Sequence, residues 1–400
     1  MQDAGPGGVL FDRQYSYNTA NQISQIAELT GTKVFGYDNI DRLTSVADAV
    51  NGNESYAFDG VGNRTASHSS NTYTHQPFNR LTVTETGSYS QDANGNTVSK
   101  VEGSKRWTYT WDHENRLTQA WDRKTRVQYR YDALGRRVER NLGFGLERTK
   151  FTYDGEDVLL DDANGTHTKY QNGPGIDNKL SLKTGSAVSY FLADHLGSTN
   201  GLADASGSLT AQTGYDSFGN QTTNLPTRYG FTGRERDGFT GMIHYRARHY
   251  DPRLGRFISE DPIGFAGGDI NLYGYVRNNP LMFKDPDGKL ALPILIVGGA
   301  VVAELTLHYA LMEYADRIRF SDPDAFGRKR HCWVNCMSTR IHFGNPFPVV
   351  LFGGGKEGMD LIRNGDFSDS LGDMKANAYG QMMAYIVWRN CKDLCDGCGS

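Results

Sequence analysis

Arg126-Val127-Gln128-Tyr129-Arg130-Tyr131-Asp132-Ala133-Leu134-Gly135-Arg136-Arg137 decides the fold of this chain. Val127, Tyr129 and Tyr131 alternate with polar residues, the period-2 signature of a strand with one buried face. Asp132 and Gly135 then close the strand with a turn. Gly135 stands where a left-handed backbone is required, a conformation that costs glycine little.

The same step recurs along the chain. An aromatic followed by Asp or Asn appears at Tyr37-Asp38, Phe58-Asp59, Phe78-Asn79, Trp111-Asp112, Tyr131-Asp132 and Tyr153-Asp154, a period of about 20 residues that marks a repeat architecture. Asp59-Gly60-Val61-Gly62-Asn63-Arg64 and Asp216-Ser217-Phe218-Gly219-Asn220 repeat the glycine turn, and Asp41-Arg42-Leu43-Thr44, Asn79-Arg80-Leu81-Thr82 and Asn115-Arg116-Leu117-Thr118 form a variant of it. Each unit reads as a β-hairpin. A lone hairpin is marginal in water, so the units are expected to pair side by side into one long sheet. Forty-seven glycines, 22 tyrosines and only 12 prolines suit many short strands and tight turns. A formal net charge of -4 over 400 residues gives no general pull toward nucleic acid or anionic membrane. Met1-Gln2-Asp3-Ala4-Gly5-Pro6 lacks the basic and apolar regions of a signal peptide, so a cytoplasmic origin with export by a specialised secretion system is expected.

With these repeats on the page, the chain resembles the YD-repeat proteins of the RHS group. The resemblance tightens at Tyr190-Phe191-Leu192-Ala193-Asp194-His195-Leu196-Gly197-Ser198-Thr199 and at Tyr229-Gly230-Phe231-Thr232-Gly233-Arg234-Glu235. It culminates in Tyr245-Arg246-Ala247-Arg248-His249-Tyr250-Asp251-Pro252-Arg253-Leu254-Gly255-Arg256-Phe257-Ile258-Ser259-Glu260-Asp261-Pro262-Ile263-Gly264. The resemblance implies a mainly β fold: a spiral YD-repeat sheet forming part of a β-shell over 1–185, and a core plug over 186–289. A small α-rich, variable effector domain is expected over 290–400. It also implies a polymorphic toxin whose effector is freed by self-cleavage. Its partners would be upstream shell repeats or a second subunit, a cognate immunity protein and a secretion-system component. Members of the group carry many more repeats than this chain, which reads as the carboxyl-terminal portion of one.

Asp261-Pro262-Ile263-Gly264 and Asp285-Pro286-Asp287-Gly288 admit two readings. Asp-Pro and Asp-x-Gly are ordinary turn formers. Two carboxylates brought together can instead share one proton, one serving as base and the other as acid, as in aspartic proteases. The resemblance maps the catalytic aspartates onto Asp261 and Asp285, with Arg248 as the basic partner and Arg256 as the alternative. It puts the cut at Lys289-Leu290, with Leu290-Ala291 second. Asn271-Leu272-Tyr273-Gly274-Tyr275-Val276-Arg277-Asn278-Asn279-Pro280 fits the linking segment, with one extra residue near Gly267-Gly268-Asp269. A structural or adhesive module that never cuts itself is the competing reading.

Beyond Lys289 the composition changes. Leu290 to Ala303 carries no charge, and apolar residues resume after Glu304. This stretch approaches the roughly 20 residues of a membrane-crossing helix, while Pro293, Gly298-Gly299, Glu304 and His308 favour a buried helix. All five cysteines follow the cut: Cys332, Cys336, Cys391, Cys395 and Cys398. Their spacing favours disulfides or buried thiols over zinc with His331, and no metal or other cofactor is expected. Gly353-Gly354-Gly355-Lys356-Glu357-Gly358 lacks the spacing of a phosphate loop. Asp360, Asp366, Asp369 and Asp373 with His331 and His342 read as an exposed face more readily than as a hydrolase or nuclease site. Arg328-Lys329-Arg330 is too short to claim nucleic acid. The effector therefore reads as membrane-acting, with a soluble hydrolase or nuclease as the alternative.

Overall fold

The computed structural model describes residues 2–5, 8–297 and 300–303. The chain divides into two compact units, Met1–Ile294 and Leu295–Ser400. Among the described residues of the first, the strands from Gln2–Gly5 to Arg64–Ser67 form a seven-stranded sheet. Those from Tyr73–Gln76 to Leu209–Gln212 form a fifteen-stranded one. Both run as meanders, each strand antiparallel to its sequence neighbour.

The aromatic-Asp step explains how the meander turns. Asp132 Oδ1 accepts the N–H groups of Leu134 and Arg136, both at 2.9 Å, and Oδ2 accepts Arg136 Nε at 2.8 Å. Gly135 donates its N–H to the Asp132 carbonyl at 3.0 Å and sits at φ +81°. The same set recurs at Asp38–Arg42 and Asp112–Arg116. There Asp41 (φ 68°) and Asn115 (φ 58°) occupy the left-handed position, which short polar side chains tolerate. The preceding aromatic joins one unit to the last: Tyr131 Oη donates to the Leu117 carbonyl and Tyr37 Oη to that of Ile23, both at 2.7 Å, and Trp111 Nε1 donates to Thr97 at 2.8 Å. In the other direction, Arg116 lies 5.0 Å from the Tyr131 ring centre and Arg136 5.2 Å from that of Tyr153, a cation–π contact to the next unit.

Two expected repeats turn differently. Tyr153-Asp154 ends a strand in which Asp154 pairs directly with Asp157, so there is no room for the five-residue turn. Phe78-Asn79 lies in a 3₁₀ turn begun by Pro77, with both residues at positive φ. The single long sheet is also interrupted. Ser67 and Ser70 exchange backbone hydrogen bonds at 2.7 and 3.2 Å, so the chain folds back on itself after Arg64–Ser67 and the next strand starts a new sheet.

The segment after the fifteenth strand of the second sheet packs against both sheets. Its centre is a cluster of Tyr245, Tyr250, Phe257 and Tyr275, each at most 1% exposed, with the Tyr250 and Tyr275 ring centres 4.4 Å apart. Buried ion pairs tie it to the repeats: Lys100 Nζ to Asp251 Oδ2 at 2.6 Å, Arg234 Nη1 to Asp177 Oδ1 at 2.6 Å, and Arg137 to Glu235.

The run expected as a helix from 290 departs from that expectation where it is described. Leu292–Val297 and Ala300–Ala303 are strands, the first pairing with Phe283–Lys284. The sequence Ile294, Ile296, Val297, Val301 and Val302 is rich in β-branched residues, which favour strands. Among the described residues no helix is long and apolar enough to cross a membrane. The rest of the expected α-rich domain lies outside the described residues.

Gly135→Val places a β-branched side chain at φ +81°. It is expected to lower unfolding stability by about 1–3 kcal/mol, read as a reduced midpoint in denaturant. An unchanged midpoint would overturn the role given to this turn.

Candidate functional site

The turn between the strands Ile243–Tyr245 and Arg248–Asp251 delivers Arg248 into the core. Its guanidinium carbon lies over the Phe257 ring, 3.6 Å from the ring centre. Nε donates to the Gly288 carbonyl at 2.5 Å and Nη1 to that of Leu272 at 3.0 Å. Nη2 reaches both carboxylates, Asp261 Oδ2 at 2.9 Å and Asp285 Oδ2 at 3.2 Å. One planar cation thus brings together the three residues singled out in the sequence. Arg256 does not take part: its Nη2 donates to the Asn79 carbonyl at 2.6 Å, and its guanidinium lies 4.6 Å from the centre of the Tyr273 ring.

The aspartates are held by turns, so the turn reading and the site reading describe the same residues. Asp261 Oδ1 accepts the Ile263 N–H at 3.0 Å, and the Asp261 carbonyl accepts that of Gly264 at 2.9 Å. Asp285 Oδ1 accepts the N–H groups of Lys289 at 2.9 Å and Leu290 at 3.0 Å. The glycine of the second quartet is a matter of space. At Gly288 (φ +71°) a Cβ would stand 2.2 Å from the Tyr245 carbonyl oxygen.

Gly267 locates the Lys289 carbonyl. A Cβ built on Gly267 would lie 2.8 Å from that carbonyl oxygen and 3.0 Å from Asp261 Oδ2, so the two oxygens face the same small space. A cavity of about 20 Å³, lined among others by Arg248, Asp261, Asp269, Asp285 and Lys289, opens there. That is room for about one water with polar partners on several sides. Sequence reasoning alone misses Gly267 and Asp269 as site residues; the extra residue in this stretch is the signal that marks them.

Burial sets the charge of the pair. It pushes the Asp261 carboxyl up to about 6, against the pull of Arg248. Asp285 is likewise raised by burial and opposed by Arg248, while burial lowers Arg248 and both carboxylates counter it. Two carboxylates facing one cation in a dry site favour keeping a proton on one of them. The cysteines, His331, His342, Arg328-Lys329-Arg330, the glycine run 353–358 and the acidic residues 360–373 lie outside the described residues.

This fold and core define a class of repeat protein. The chain belongs to the teneurin YD-shell family, whose model matches residues 9–281, and within it to the RHS-type YD-repeat proteins. It is 34% identical over 256 residues to the tRNA3(Ser)-specific nuclease WapA of Bacillus spizizenii, a match covering 58% of this chain and 11% of that protein. It is 26% identical over 327 residues to the double-stranded DNA deaminase toxin A of Burkholderia cenocepacia, covering 71% of this chain and 23% of that one. The chain thus spans about a tenth to a quarter of the length of these relatives. The Photorhabdus luminescens Tc holotoxin pore superposes with a TM-score of 0.55 and 20% identity over 75% of this chain and 18% of that one, which supports the fold.

Replacing Arg248 by Gln removes the cation that holds Asp261 down. In Arg248→Gln the Asp261 carboxyl is therefore expected to titrate above about 6, read by carbon NMR of labelled aspartate. A midpoint at or below that value would contradict the electrostatic role of Arg248.

Proposed function

We propose that this chain is the carboxyl-terminal part of an RHS-type polymorphic toxin that cuts itself at Lys289-Leu290 and so frees the effector that follows. One observation carries the reading. The Leu290 N–H is held by Asp285, and the Lys289 carbonyl and Asp261 Oδ2 both border the small space at Gly267, so both ends of one peptide bond lie at the carboxylate pair. Among the described residues, no carboxylate holds the nitrogen of the neighbouring bond Leu290-Ala291.

The chemistry follows from the charges. Asp285 accepts two backbone N–H groups, which favours its ionised form; it takes a proton from water as the water oxygen bonds to the Lys289 carbonyl carbon. Protonated Asp261 donates to the carbonyl oxygen as negative charge develops there. Asp285 then hands its proton to the Leu290 nitrogen, and as the C–N bond breaks one hydroxyl of the tetrahedral carbon returns its proton to Asp261, leaving a carboxylic acid and an amine. Arg248 keeps the pair together. Because the scissile bond is tethered beside the carboxylates, orientation alone supplies much of the acceleration, on the order of 7–11 kcal/mol in favourable intramolecular systems. A single turnover suffices.

Asp261→Asn and Asp285→Asn are each expected to abolish processing while leaving the chain folded, and Arg248→Lys to impair it, since lysine cannot span both carboxylates and two carbonyls in one plane. Mass measurement of freshly made protein reads the result. Full processing of either asparagine variant would leave the non-cleaving structural module as the better reading. Cleavage should also follow the protonation of Asp261: half-maximal near pH 6 and falling by about tenfold per pH unit above it. A rate that rises through that range would refute the assignment of the acid.

The effector reads in two ways. The uncharged run from Leu290 supports action on a membrane. The names of the relatives, a tRNA nuclease and a DNA deaminase, favour instead an effector acting on nucleic acid. Material released by processing is expected to discharge dye from liposomes in the first case, and to degrade or deaminate added tRNA or DNA in the second. The proposed context adds upstream repeats or a second subunit, an immunity protein and a secretion-system component.

A further inference from the structure

The two aspartates are not positioned by their own segment alone. The Asp285 quartet rests on the turn at Arg246-Ala247, where Ala247 donates its N–H to the Asp287 carbonyl at 3.1 Å. Arg246 sits there at φ +46°, an unusual backbone for a long side chain. Its guanidinium donates to the Pro286 carbonyl inside the quartet. The same guanidinium takes Asp177 on both oxygens, at 2.8 and 3.0 Å, and the Glu156 carbonyl at 3.1 Å. Glu156 and Asp177 belong to loops of the fifteen-stranded sheet, before the strands Asp157–Ala163 and Lys179–Thr184. Asp177 is held in turn by Arg234.

Asp261 is tied to other repeats. Its N–H donates to the Leu272 carbonyl at 2.9 Å. On either side, Glu260 pairs with Arg80 at 3.5 Å, Tyr273 Oη donates to the Gly95 carbonyl at 2.7 Å, and Asn271 Nδ2 donates to Asn63 Oδ1 at 2.9 Å. Asn63 ends a turn of the first sheet, while Arg80 and Gly95 lie in the second. One aspartate is therefore fastened to repeats around 63–95 and the other to repeats around 156–177.

We infer that self-cleavage is licensed by assembly of the repeat sheets, with Arg246 as the positioning residue that carries the state of the loops at Glu156 and Asp177 to Asp285. The physical reason is distance tolerance. Asp285 must keep its grip on Leu290 while Asp261 faces the space at the Lys289 carbonyl; Arg248 joins the two carboxylates, and the segments that carry them are fastened to different repeats. A chain with part of its repeats unfolded would hold both aspartates and cut slowly, which delays release of the effector until the repeat unit is complete.

This inference rests on the self-cleavage reading, and the experiment separates the two. Full-length chain is made by cell-free synthesis, and the first-order rate of fragment appearance is followed from about pH 5 to about pH 8. Wild type and Asp285→Asn test the underlying reading: uncut wild type, or a processed Asp285→Asn, sinks that reading itself. With those controls in order, Arg246→Ala is expected to cut up to about 100-fold more slowly, the size of effect that misplacing reacting groups by about an ångström can produce. The midpoint of its pH profile should stay at that of wild type, because the acid is untouched. Arg246→Lys, which can keep the Pro286 carbonyl or Asp177 but not both, should recover part of the rate. Tyr273→Phe, a minimal change at the Asp261 anchor, should slow cleavage with an unchanged denaturation midpoint. Wild-type rates in Arg246→Ala and Tyr273→Phe overturn the inference, and so does a shifted pH midpoint in Arg246→Ala, which would make Arg246 an electrostatic partner of the dyad. Should Arg246→Ala fail to fold, Arg246→Lys and Tyr273→Phe decide alone.

Discussion

A carboxylate that accepts backbone N–H groups a few residues ahead of it is the device on which this molecule depends. In the repeats, Asp132 takes the N–H groups of residues two and four positions on, with Arg136 on its second oxygen. At the candidate site, Asp285 takes those four and five positions on, and its second oxygen also meets an arginine. The arginine is the difference. In the repeat it comes from the turn itself and is partly exposed; at the site it comes from another strand and is buried. The site is thus a turn of the repeat kind whose local cation has been replaced by a distant one, which leaves the carboxylate dry and able to hold a proton.

That substitution explains why the core is fastened so heavily. A buried ion pair adds little net stability, because desolvation offsets the Coulomb gain, but removing one partner costs about 3–5 kcal/mol. Lys100–Asp251, Arg234–Asp177 and Arg137–Glu235 therefore act chiefly on register: a displaced core leaves charges buried and unpaired. Burial also keeps His244 and His249 neutral, facing each other across two strands between Arg137 and Arg234. A protonated imidazole there would add a like charge to a cluster that has no solvent to screen it.

What was legible in the sequence was local. The period-2 strands, the aromatic-Asp step and the left-handed glycines at 62 and 135 are consequences of residues a few positions apart, and the fold keeps them. Asp261 and Asp285 stood out as a pair, while Arg248 entered through the family resemblance and no spacing argument would have selected it. The break after Ser67, the shortened turn at Tyr153-Asp154 and the strand at Leu292–Val297 were not legible. Each depends on which hydrogen-bond partners are available in three dimensions. The β-branched residues of this run lean toward a strand, but its apolar pattern alone does not separate a short buried strand from a helix, and its pairing with Phe283–Lys284 decides between them.

The contacts that matter most for the site were the least visible. Asn63 to Asn271, Gly95 to Tyr273 and Asp177 to Arg246 join residues 208, 178 and 69 positions apart. In a meander built from neighbouring hairpins, nearly all pairing is local and can form strand by strand. The core's contacts are long-range and form only once many repeats are in place, since the loop-closure entropy of each must be offset by contacts that appear together. The order this imposes is sheets first and the pair Asp261 and Asp285 last, so the geometry of the candidate site is the final part of the fold to form.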